Sequence, residues 1–200
     1  MAIKARYVHT NLIAKDWPAL ARFYQDVFGC VPVPPERDYR SASLDAATGL
    51  TDAHLTGAHL RLPGYDSQGP TIEIFHYDAL ESRLSAAVNR PGYGHVAFSV
   101  DDVHAARESV LGAGGRAIGE VVTLEASDGR KVTWCYVTDP EGNIIELQAW
   151  SAYVFPPGAQ QLAEADPAGW GKGGGPGPPA CASATSVWGA KAGARAGRLC

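Results

Sequence analysis

Two histidines and two glutamates stand out in this chain because their surroundings match in pairs. His9 lies in the apolar run YVHTNLI and His95 in YGHVAFSV. Glu73 sits between isoleucines in TIEIF, and Glu146 follows two isoleucines in IIELQ. A carboxylate is rarely buried without a partner, because removing its unpaired charge from water is costly. Taken singly, such a His is more often a hydrogen-bonded structural residue, and such a Glu can sit on the solvent face of an alternating strand. Two of each in matching positions point instead to one shared divalent metal ion. Imidazole nitrogen and carboxylate oxygen suit zinc, nickel, cobalt, manganese or ferrous iron. A bound ion of this kind polarises substrate oxygens as a Lewis acid, and a carboxylate beside it can move a proton.

These residues need elements to hold them. Alternation and β-branched content make strands of the runs around His9 and His95. Asp16 follows His9 at the distance at which Asp102 follows His95, and each can cap a helix. Pro18 fits a first helical turn, where its missing N–H does no harm. Leu20, Phe23, Tyr24 and Val27 give the first helix an apolar face, and Val103, Ala106 and Val110 give the second a weaker one. Gly29 and Gly115 are the expected helix ends. The first half continues with strands at Val31–Val33, Ala53–Leu62 and Thr71–Tyr77, and a short helix at Ser41–Thr48. The second continues with strands at Ala117–Leu124, Val132–Thr138 and Ile144–Trp150, with DPEGN, Asp139 to Asn143, as a turn. Strand, helix and three strands are thus written twice, at a period of about 86 residues. The first copy carries extra residues, assigned to the Pro34–His54 region. The expected fold class is α+β, with modules at about 5–78 and 92–151 inside a domain spanning 1–153. Residues 154–200 are dominated by Ala, Gly and Pro, as in GWGKGGGPGPPACASA. That composition buries too little apolar surface to offset the entropy of ordering, so a disordered tail is expected there.

Composition narrows the function. The chain has 200 residues, 46% apolar and 19% charged, with a net charge of −4. Acids and bases are mixed along it, without the basic stripe a nucleic-acid partner requires. No run approaches the length of a membrane span, and the start has no signal-peptide pattern, so a cytoplasmic location is the default expectation. Cys30, Cys135, Cys181 and Cys200 show no metal or redox spacing and read as plain thiols. The run GAGGRAIG, Gly112 to Gly119, follows a helix instead of a strand and so fails as a dinucleotide fingerprint.

The segments HTNLIAKDWPALARFYQDVFG, TIEIF, YGHVAFSVDD and VTDPEGNIIEL resemble the vicinal-oxygen-chelate superfamily of glyoxalases, acyl-CoA epimerases, extradiol dioxygenases and bleomycin-resistance proteins. The resemblance covers roughly residues 5–151. It implies paired βαβββ modules whose sheets curl into a cup around a metal. It places His9, Glu73, His95 and Glu146 on the four ligand positions, a set similar to that of glyoxalase I. It implies a lyase or isomerase working through a metal-stabilised enolate on a small carbonyl or thioester substrate, with nickel, cobalt, zinc or manganese. Glu146 and Glu73 are then the catalytic candidates, with Glu146 favoured as base by family analogy. A homodimer is the implied assembly, and the small-molecule substrate the implied partner. An iron-dependent ring-cleaving dioxygenase and a non-catalytic antibiotic-binding protein are the alternatives. Glyoxalase I has an arginine shortly after its first ligand. Here that stretch is TNLIAKD, with Lys15 its only base, a departure that puts recognition of glutathione in doubt and leaves the substrate open.

Lesser candidates surround the set. Asn11 shares the strand parity of His9 and is a candidate for substrate binding. His59 is an alternative ligand should Glu73 not serve. His76, out of parity with Glu73, should face away, and His54 and His104 should lie at the surface. Phe75, Trp134 and Tyr136 are expected in the core, with lining of the pocket as the alternative.

Overall fold

The computed structural model describes residues 2–151; the expected tail at 154–200 lies outside them. The elements run β1 (His9–Ile13), α1 (Trp17–Phe28), β2 (Val31–Arg40), α2 (Ala42–Thr48), β3 (His54–Arg61), β4 (Thr71–Tyr77), β5 (Val96–Ser99), α3 (Val103–Gly112), β6 (Arg116–Ala117), β7 (Val122–Glu125), β8 (Lys131–Thr138) and β9 (Ile144–Trp150). One sheet has the order β1-β4-β3-β2; the other has β5-β9-β8-β6, with β7 also paired to β8. In each sheet the opening strand lies parallel to the closing strand, β1 on β4 and β5 on β9, and the other pairs are antiparallel. The repeat read from the sequence is therefore a repeat of topology.

The helices form where capping and pattern agree. Asp16 accepts a hydrogen bond from the Ala19 amide at 3.0 Å, and Gly29 takes the left-handed conformation that ends α1, at φ 67°. The buried side of α1 is Leu20, Ala21, Phe23 and Tyr24, and α1 packs on β3 and β4. Asp102 caps α3 through the His104 and Ala105 amides. That helix ends sooner than expected, at Ala113. Gly115 is required for close packing instead, since a Cβ there would lie 2.3 Å from the Thr138 carbonyl oxygen.

Two further expectations are revised. The strand expected at Val31–Val33 continues to Arg40, with an irregular register between Val33 and Arg37 where the prolines fall. The strand expected at Ala117–Leu124 is broken into β6 and β7. The extra residues of the first half form the rest of β2 and α2, which Ser41 caps.

Side-chain alternation gives each sheet two distinct faces. Leu60, Ile72 and Ile74 lie on strands that pack against α1, and Cys135, Val137, Ile145 and Leu147 on strands that pack against α3. The two sets join in one core, where the Phe28 and Phe98 rings stack at 4.0 Å. Burial pushes the Cys30 thiol up to about 12, as befits an inert core cysteine. The opposite faces carry His9, Asn11, His59 and Glu73 in the first sheet, and Trp134, Tyr136 and Glu146 in the second, with His95 just before β5.

Candidate metal centre

The first half-site gathers around Glu73. This residue is only 8% exposed. Its Oε2 lies 3.2 Å from His9 Nε2 and accepts a hydrogen bond from Asn11 Nδ2, also at 3.2 Å. Its Oε1 lies 2.9 Å from His59 Nε2. Register explains the grouping, since Glu73 stands opposite Asn11 on β1 and His59 on β3. Burial holds the His59 pKa below its ordinary value, opposed by the Glu73 charge and aided by Arg37 and His9.

The second half-site is built alike with fewer partners. His95 Nε2 lies 3.4 Å from Glu146 Oε2. Tyr136 stands opposite Glu146 in the register, as His59 stands opposite Glu73. Burial and the charge of Glu146 raise the Tyr136 phenol pKa, as does its hydrogen bonding to that carboxylate. The His95 and Tyr136 rings lie 5.2 Å apart, and Trp134 packs edge-on against Tyr136 at 5.0 Å. Tyr136, Trp134 and Phe75 are half-buried on the site faces, not in the core as expected.

The structure thus pairs His9 with Glu73 and His95 with Glu146. It does not bring the four into one cluster within the chain. His9 and His59 both touch Glu73, but among the described residues no three His, Cys, Asp or Glu side chains are arranged to hold a metal ion. The donor chemistry nevertheless fits a divalent ion. Each pair offers one imidazole nitrogen and one carboxylate oxygen. Among the described residues, the ion pairs of Lys and Arg involve other acids, so neither glutamate has a cationic side chain of that kind to offset it.

Other expected residues fall as follows. His76 turns to the Ala14 carbonyl, 3.0 Å away. His104 is exposed. His54 is half-buried, not simply at the surface, and sits between Asp38 and Asp78 at 2.9 and 3.0 Å. Asn11 also lines a cavity of about 780 Å³ bounded by Lys15, Arg83, Tyr93 and the turn before β9.

That turn does more than reverse the chain. Asp139 is fully buried and accepts from Tyr24 Oη at 3.1 Å, from the amides of Glu141 and Asn143, and from Asn143 Nδ2 at 2.6 Å. The Glu141 carboxylate accepts from the amides of Lys15 and Asp16 at 2.8–2.9 Å. The second half therefore clasps α1 of the first. Burial raises the Asp139 pKa, and its hydrogen bonds oppose the rise.

Residues 6–147 match the model of the Glyoxalase/Bleomycin resistance protein/Dioxygenase superfamily. The chain belongs to this superfamily. A probable lactoylglutathione lyase of Vibrio cholerae serotype O1 is 30% identical over 145 residues, 71% of this chain and 88% of the relative. A probable lactoylglutathione lyase of Vibrio parahaemolyticus is 27% identical over 143 residues, again 71% and 88% of the two chains. The crystal structure of a glyoxalase family protein from Bacillus cereus shares the superfamily fold, with a TM-score of 0.63 at 19% identity, covering 76% of this chain and 97% of that one. Among the described residues, no helix is long and apolar enough to cross a membrane.

Proposed function

We propose that this superfamily member is a metal-dependent lyase or isomerase acting beside the carbonyl of a small thioester or carbonyl substrate. The observation that carries the reading is the pair of equivalent His–Glu half-sites, one on each sheet, each with half of a four-ligand set. His9 and Glu73 would hold the ion from one side, His95 and Glu146 from the other. In this reading a second copy of the chain would supply the opposite pair and complete the site. When bound, the ion would act as a Lewis acid on the substrate oxygen and stabilise the charge of an enolate.

The chain's own residues divide the work unequally. Glu73 is buried and has three nitrogen neighbours, from His9, His59 and Asn11. Glu146 has His95 and the Tyr136 phenol, and its side chain is more exposed. The less restrained carboxylate is the one free to take a proton from the carbon beside the carbonyl and return it. Glu146 is therefore assigned as the base and Glu73 as the fixed ligand. The cavity that Asn11 lines is bordered by none of the four proposed ligands, so the reading does not assign it to the substrate. The names of the Vibrio relatives suggest the first candidate, a thioester of a 2-hydroxy acid.

The test is solvent exchange. Metal-loaded protein is mixed with lactoylglutathione in deuterated water, and loss of the proton beside the thioester carbonyl is followed by NMR. Exchange in the wild type that is lost in Glu146→Gln supports the assignment. Full exchange in both Glu146→Gln and Glu73→Gln refutes it.

A further inference from the structure

The two glutamates have matching neighbours that differ in kind. His59 occupies in the first half the register position that Tyr136 occupies in the second, directly across from the carboxylate. The imidazole is 18% exposed at the side chain and in contact with Glu73 Oε1, at 2.9 Å from Nε2. Its other nitrogen, Nδ1, lies 3.4 Å from Thr71 Oγ1. Thr71 precedes Glu73 by two residues on β4, so it shares a face with it. A threonine hydroxyl that donates to Nδ1 leaves the ring proton on Nε2, and that tautomer donates to a carboxylate. The chain Thr71, His59, Glu73 then ends at Oε2, the oxygen that faces His9.

We propose that His59 is a positioning residue for Glu73. It holds Oε1 through its Nε2–H, with Thr71 fixing the ring, so that Oε2 is presented to the ion beside His9. The inference rests on the metal reading above and adds a group that the four-ligand set does not contain. Orienting partners of metal ligands raise metal affinity by about 10–100-fold. A purely steric role for His59 would show no dependence on a donor at this position, and a ligand role would change the number of ligands. The donor role predicts something different from either.

The experiment is a competitive titration of the full chain with Zn²⁺ against a chromophoric chelator, together with the absorption spectrum of the Co²⁺ form. Wild type is compared with His59→Leu, His59→Gln and Thr71→Val. His59→Leu is expected to weaken Zn²⁺ binding by about 10–100-fold, with the ion-to-chain ratio and the Co²⁺ band pattern kept. His59→Gln, whose amide N–H can reach Oε1, should recover most of the loss, and Thr71→Val should fall between. Unchanged affinity in His59→Leu overturns the proposal. Stoichiometric binding kept in both His59 variants but with a Co²⁺ band pattern of changed coordination also overturns it and makes His59 a ligand. If His59→Leu does not fold, Thr71→Val decides, a several-fold loss supporting the proposal and no loss overturning it. A wild-type chain that binds neither ion overturns the metal reading itself, an outcome distinct from failure of the His59 variants alone.

Discussion

Replacing Asp139 by alanine tests how the two halves are held together. The side chain is fully buried and accepts four hydrogen bonds. Two of these come from amides in a half-buried turn, where water can partly replace the carboxylate. The Tyr24 hydroxyl cannot be compensated in that way, because Tyr24 is 0% exposed. A buried donor left without an acceptor costs about 1–3 kcal/mol, and hydrogen bonds to a charged group contribute about 1.5–3 kcal/mol each. Against this stands the relief of no longer burying a carboxylate. The net expectation is about 3 kcal/mol of destabilisation for Asp139→Ala. Tyr24→Phe should cost only about 1 kcal/mol, because Asp139 then keeps three donors. In a domain of this size, 3 kcal/mol corresponds to a fall in Tm on the order of 10 °C. Urea denaturation of both single variants and the double variant reads these values directly. A cost for Asp139→Ala below about 1 kcal/mol, or a larger cost for Tyr24→Phe than for Asp139→Ala, would refute the reasoning.

Other outcomes follow from the same geometry. Gly115→Ala should destabilise by about 1–3 kcal/mol in urea denaturation, because the new methyl would meet the Thr138 carbonyl at 2.3 Å and Val110 at 2.5 Å. Hydrogen bonds to Asp38 and Asp78 raise the His54 pKa above 6.5, with Arg40 opposing. A raised histidine stabilises the fold fully below its unfolded pKa, and this is lost as pH rises through the folded value. His54→Gln should therefore lower Tm at about pH 6 and have little effect at about pH 9; an equal effect at both would contradict the sign. Metal removal by a chelator should lower Tm, since an ion at 100 times its Kd adds about 2.7 kcal/mol, and differential scanning calorimetry with and without chelator checks it.

Where the candidate site residues fall in the fold was largely legible because the signals are local. His9 and His95 stand at the openings of the two sheets, Glu73 and Glu146 on their closing strands, and the Asp caps and Gly29 sit where expected. What was not legible depends on pairing across loops. The contact of His59 with Glu73 follows from the β3–β4 register, which strand parity alone does not supply. The strand was expected only at Val31–Val33, and the prolines that follow in VPVPPERDYR cannot donate to a ladder. An edge strand with an irregular register tolerates them, and β2 is such a strand. DPEGN reads locally as a turn, and nothing local discloses that Asp139 meets Tyr24 or that Glu141 meets the start of α1. Phe75, Trp134 and Tyr136 were expected in the core, yet a sheet face that carries a polar site also needs walls.

The central claim is that His9, Glu73, His95 and Glu146 serve one metal ion although they lie in two half-sites. Metal content after loading with Ni²⁺, Co²⁺ or Zn²⁺ and gel filtration, measured on the wild type and on the four single alanine variants, tests it most directly. The account predicts one ion per chain in the wild type and lost or strongly weakened binding in every variant, from either half. Full metal content in His95→Ala and Glu146→Ala, with loss confined to His9→Ala and Glu73→Ala, would contradict it.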